Sequence, residues 1–167
     1  MPHSFLRIHD QPDERLMKRC ALIGAAAMLM AMHGNPARRE LRYLKRVVEP
    51  AVIQDNIKLY FNEDGSLVGY VIWARLAEAV EQQVLETGEF VLHESEWNEG
   101  RSFWIVDLLA PYGHFKYIAR DLRDVVCAGE PTVRYLRHKG ASCLAREAAR
   151  RLPAAVRAAP RHEEFSA

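Results

Sequence analysis

The chain has 167 residues, with 23 Lys and Arg against 22 Asp and Glu, for a formal net charge of +1. This length suits a single domain over 1–167 with a sizeable core, and the near-zero charge excludes a global field that would draw the chain to nucleic acid or anionic lipid. Cys20, Cys127 and Cys143 are odd in number and lack CxxC spacing, which excludes a disulfide framework or zinc site and points to reduced thiols in a cytoplasmic protein.

Residues 1–12 show no periodicity and read as a loose arm. From Asp13 to Met32 the composition predicts a helix: Asp13 and Glu14 suit its first turn, and Leu16, Cys20, Ile23 and Ala27 fall on one face. Lys18-Arg19 ahead of the apolar run from Cys20 to Met32 resembles a signal peptide. The acidic leader and the lack of a convincing A-x-A cleavage site after the run argue instead for a buried helix, and the run is too short to span a bilayer. Gly34-Asn35-Pro36 ends this helix. A second is expected from Ala37 to about Val48, closed by Pro50.

A hairpin follows, with strands at 58–61 and 67–73 around the turn Asn62-Glu63-Asp64-Gly65-Ser66. Ala77 to Glu86 is a predicted helix with Gly88 as its stop, and Ser102 to Leu109 is a strand apolar enough to be buried on both faces. Phe115 to Cys127 reads as an amphipathic helix with Phe115, Ile118, Leu122 and Val125 in line. Thr132 to Arg137 is a short strand, and Lys139-Gly140 turns into a helix from Ser142 to Leu152. Pro153 ends it, leaving 154–167 as a frayed tail. The expected class is α+β, a mostly antiparallel central sheet sandwiched by helices.

Asp107 is the residue hardest to explain by packing. A carboxylate within Trp104-Ile105-Val106-Asp107-Leu108-Leu109 is costly to bury unless it is paired or hydrogen-bonded. It either accepts bonds from backbone N–H groups or an arginine such as Arg101, or it has a chemical task near the Pro111/Gly113 turn, since strand ends line clefts. His33, at the end of an apolar helix, either interacts with the helix dipole for about 0.3–1 kcal/mol or serves as a general base whose ring Asp107 orients. The cysteines read as small buried hydrophobes. His93-Glu94-Ser95-Glu96 reads as a solvated loop rather than a metal site. Arg137-His138-Lys139-Gly140-Ala141-Ser142 reads either as a connecting turn or as a helix start able to hold phosphate. The basic cluster from Arg134 to Arg161 offers a local patch to an acidic partner.

The centre of the chain resembles the toxin-activating lysine acyltransferases that fatty-acylate RTX protoxins. The carriers are Gly69-Tyr70-Val71-Ile72-Trp73-Ala74-Arg75-Leu76, then Trp97, Gly100-Arg101, and the block from Trp104 through Asp107 to Ala110-Pro111-Tyr112-Gly113. Met30 stands where the family usually has a serine three residues before its histidine. The resemblance implies a fold like the GCN5-type N-acetyltransferases, with His33 and Asp107 as the catalytic pair and Trp73 and Trp104 in substrate binding. It also implies Arg134, Arg137 and Lys139 as contacts for acyl carrier protein or its pantetheine phosphate. The acyl-loaded carrier protein is the implied donor and an RTX protoxin the implied acceptor, with no bound cofactor or metal, no membrane span and a homodimer as the assembly. A CoA-dependent N-acyltransferase, or a non-catalytic binding protein on the same fold, are the alternatives.

Overall fold

A computed structural model describes residues 13–32, 40–139 and 142–149. The expected N-terminal arm, His33, the turn at 34–36 and the expected C-terminal tail lie outside the described residues. The helix α1 (Glu14–Ala31) forms where composition predicts it. Its buried residues are Ala26, Leu29 and Met30, whereas Leu16 and Cys20 are exposed. The predicted apolar face is corrected in its first part: α1 packs on the core from Leu22 onward, Ile23 included, while Leu16 and Cys20 stay in water.

The second helical segment runs as α2 (Leu41–Tyr43), a π turn (Leu44–Val48) and α3 (Glu49–Ile53). Pro50 does not close it, contrary to expectation. Proline lacks an N–H and crowds the carbonyl four residues back. The wider π turn, in which the Glu49 N–H donates to the Leu44 carbonyl, precedes Pro50 and lets the helix continue.

The hairpin is β1 (Ile57–Phe61) and β2 (Leu67–Leu76), antiparallel, with Gly65 at φ 82° in the turn. The helix α4 (Glu78–Thr87) ends at Gly88, whose φ of 70° is the left-handed conformation that stops a helix. The strand β3 (Ser102–Leu109) matches its predicted bounds. It pairs antiparallel with β2 and parallel with β4 (Thr132–Lys139), and β5 (Ser142–Ala149) pairs antiparallel with β4. The sheet is thus mixed and mostly antiparallel, in the order β1-β2-β3-β4-β5.

The expected helix over 142–152 is therefore corrected to a strand. Ala, Leu, Arg and Glu favour helix, but eight residues pair in register along β4, from Thr132 with Ala149 to Lys139 with Ser142. Tertiary pairing overrides a weak local preference. The phosphate-binding reading of this turn falls with it, since the chain enters a strand at Ser142 and offers no helix amides there. Between β3 and β4, α5 (Phe115–Asp121) passes into a second π turn (Leu122–Val126). Of the line expected to be buried, Ile118 is buried, while Phe115 and Val125 are exposed.

The two faces of the sheet carry separate cores. On one, α1, the first π turn, α3 and α4 pack on Tyr70, Ile72, Ala74, Leu76 and Trp104. On the other, the second π turn and Cys127 pack on Val71, Trp73, Phe103 and Ile105. Among the described residues, no helix is long and apolar enough to cross a membrane.

Candidate active site

Asp107 sits on β3 opposite Ile72 of β2, and the next pair toward the start of β3 is Ile105 with Trp73. Val106 is therefore an extra residue, a β-bulge that places two residues against one. Strict alternation from Phe103 and Ile105 would send Asp107 to the α5 face. The bulge turns it instead to the α1 face, where Tyr70 and Ile72 lie.

There Asp107 is 3 % exposed, and its Oδ2 accepts hydrogen bonds from Tyr43 Oη at 2.6 Å and Tyr70 Oη at 2.7 Å. Tyr70 is fully buried on β2, and Tyr43 ends α2 just before the π turn. Two hydroxyl donors offset the desolvation of a carboxylate in an apolar core. Arg101, offered as a partner from the sequence, is exposed and has no place in this arrangement. The tyrosines were not identified from the sequence. The available signal was a phenol in the middle of a β2 run destined for burial, since a buried Tyr hydroxyl needs an acceptor.

A second polar cluster on the same face ties α4 to β3, β4 and β5. Glu81 accepts from Ser102 Oγ at 2.6 Å and from Trp104 Nε1 at 3.1 Å, and pairs with Arg134 Nη1 at 3.1 Å. Arg134 also donates to Ser102 Oγ at 3.0 Å and lies 3.4 Å from Glu147. Trp104 and Arg134 are thus brought together. Trp73 belongs to the opposite face, and Arg137 is exposed on β4. Lys139 is the last residue of β4, opposite Ser142.

The α5 face holds a third cluster. Asp121 accepts from Lys58 Nζ at 2.7 Å and from Tyr60 Oη at 2.8 Å; burial and this carboxylate push the Tyr60 phenol well above its ordinary range. Nearby, burial pushes the Cys127 thiol up to about 11, with Glu130 adding to the shift and Arg75 opposing it. A nucleophilic thiolate at neutral pH is not available from such a group. His93 is the N-terminal cap of a short 3₁₀ turn (Glu94–Trp97): its ring accepts from the Ser95 N–H, and its backbone N–H donates to the Glu96 carboxylate. Among the described residues, no group of three or more His, Cys, Asp or Glu side chains is arranged to hold a metal ion.

A model of the RTX toxin acyltransferase family, HlyC, matches residues 16–149. The chain belongs to that family. Curated family relatives include the lysine-acyltransferase RtxC of Vibrio cholerae serotype O1, 26% identical over 120 residues, covering 71% of this chain and 77% of RtxC. The RTX-II toxin-activating lysine-acyltransferase ApxIIC of Actinobacillus pleuropneumoniae is 28% identical over 104 residues, covering 62% of this chain and 63% of ApxIIC. An uncharacterized Synechocystis protein, sll0720, is 25% identical over 104 residues, covering 62% of this chain and 70% of its own length. The span matched to the HlyC family contains Asp107, both tyrosines on it, and the whole Glu81 cluster.

Proposed function

We propose that this family member transfers a fatty acyl group from acyl carrier protein to internal lysine ε-amines of an RTX protoxin. The observation that carries the reading is the buried Asp107 carboxylate, turned by a bulge onto the α1 face of the sheet. Met30, three residues before His33 in the chain, is buried in the same cluster as Tyr70. In the proposal His33 is the base and Asp107 orients its ring. A lysine is protonated at neutral pH and must lose a proton before it can attack. His33 takes that proton, the neutral amine attacks the thioester carbonyl, an amide C–N bond forms, and the C–S bond breaks. His33 gives that first proton up to solvent, and the second proton, lost by the nitrogen as the amide forms, passes through His33 to the departing pantetheine thiolate.

The sheet supports a donor site of the GCN5-related N-acetyltransferase kind. The parallel register pairs Phe103, Trp104 and Ile105 with Val133, Arg134 and Tyr135, after which β3 continues to Leu109 and β4 to Lys139. The thioester arm is proposed to enter where these strands part company. Arg137 and Lys139 are assigned to the acidic carrier, and Trp104 to substrate binding, with Arg134 held by Glu81 beside the slot. This chemistry belongs in the cytoplasm, where the carrier protein is loaded.

The test is intact-mass analysis of an RTX protoxin incubated with this protein and acyl-loaded carrier protein. Fatty-acyl mass should be added by the wild type and by neither His33→Ala nor Asp107→Ala. Normal modification by both variants would remove the catalytic pair, and transfer from acyl-CoA but not from the carrier would replace the donor.

A further inference from the structure

We propose that Tyr43 and Tyr70 are positioning residues of the transfer reaction, fixing the plane of the Asp107 carboxylate rather than only filling the core. The inference rests on the function proposed above. Both hydroxyls converge on a single oxygen, Oδ2, at 2.6 and 2.7 Å. They arrive from different elements, Tyr70 from the neighbouring strand and Tyr43 from a helix on the α1 face. One donor would let the carboxylate pivot about that contact, whereas two donors from different directions hold its rotation.

Packing alone would be served as well by phenylalanine, which buries the same ring with no hydroxyl to satisfy. The bulge at Val106 adds a third device with the same result, because only the slipped register delivers Asp107 to the tyrosines. Strand irregularity, strand phenol and helix phenol therefore all determine where one carboxylate oxygen lies. A group that orients a base must be held to a fraction of an ångström, and misplacement by about 1 Å can cost about a hundredfold in rate. Neither tyrosine touches reacting atoms in this scheme, and both act through Asp107.

The experiment is steady-state acylation of a purified protoxin by Tyr43→Phe, Tyr70→Phe and the double variant, with acyl-loaded carrier protein as donor and rates expressed per folded molecule. Each single change should lower kcat by about tenfold or more while KM for the donor moves less than about twofold, and the double loss should be smaller than the product of the singles. Wild-type kcat in the phenylalanine variants, with only a lowered Tm, would overturn the assignment. If Tyr70→Phe fails to fold, Tyr43→Phe at the less buried position carries the test. Asp107→Ala separates the two levels. If the wild type adds no acyl mass, the proposed function fails; if Asp107→Ala acylates normally, the catalytic role of Asp107 fails and this inference with it. If it is inactive while the phenylalanine variants turn over normally, only the positioning role fails.

Discussion

Ile72 and Asp107 face each other across the β2–β3 ladder at the last pair before the register slips. Deleting Val106 should close the ladder with Asp107 still opposite Ile72. Deleting Leu108 keeps the bulge and moves Leu109 away from its partner Tyr70. The Val106 deletion should therefore be the milder by about 1 kcal/mol or more, because a one-residue slip in a regular strand exchanges its faces. Urea unfolding of the two variants decides it, and equal losses would show that the bulge is not a discrete insertion.

Glu81 gathers Ser102, Trp104 and Arg134 from two strands onto one helix. Glu81→Ala leaves an indole N–H and a guanidinium without their acceptor and should cost about 2–3 kcal/mol of stability. Glu81→Gln retains the shape and part of the hydrogen bonding and should cost less. Chemical denaturation measures both, and an alanine variant within about 0.5 kcal/mol of wild type would mean that the cluster is solvated decoration.

Gly100 donates its N–H to the Arg75 carbonyl at 2.9 Å, and a Cβ there would overlap the Leu76 carbonyl. That obstacle is backbone and cannot swing aside. Gly100→Ala should lose about 3 kcal/mol or more, whereas Gly129→Ala, with open space around its Cβ position, should stay within about 0.5 kcal/mol. Tm values of the pair provide the comparison, and a tolerated Gly100→Ala would contradict the contact between this loop and β2.

Cys127 has a thiol raised from 9.0 to about 11 by burial. A raised pKa in the folded state means that its contribution to stability is complete below about pH 9 and is lost as pH rises toward about 11. Over that window the wild type should lose about 2–3 kcal/mol more than Cys127→Ala. Parallel stability curves for the two proteins would disprove the burial argument. Thiol labelling at pH 8 should modify the exposed Cys20 and spare Cys127 until the chain unfolds.

The hairpin and the limits of β3 were legible because their signals are local: Asp64-Gly65 turn chemistry and an unbroken apolar run. Asp107 was legible as a charge in the wrong company. Its partners were not, because Tyr43 lies 64 residues away and Tyr70 37 residues away. The face it occupies follows from a bulge that alternation alone does not reveal. The passage of the helix through Pro50 depends on a π turn, and β5 on pairing with a strand that its own composition does not announce. In each case the deciding contact is long-range or irregular.

The same composition that hid β5 has a use at the rim of the sheet. Residues 144–149 are all exposed, with Arg146 and Glu147 side by side among alanines, on a strand that forms one border of the sheet. A border built from poor strand formers and charges gives a stray polypeptide little to adhere to. It is good enough to complete this fold through eight-residue pairing with β4, yet a weak template for uncontrolled stacking of one molecule on the next.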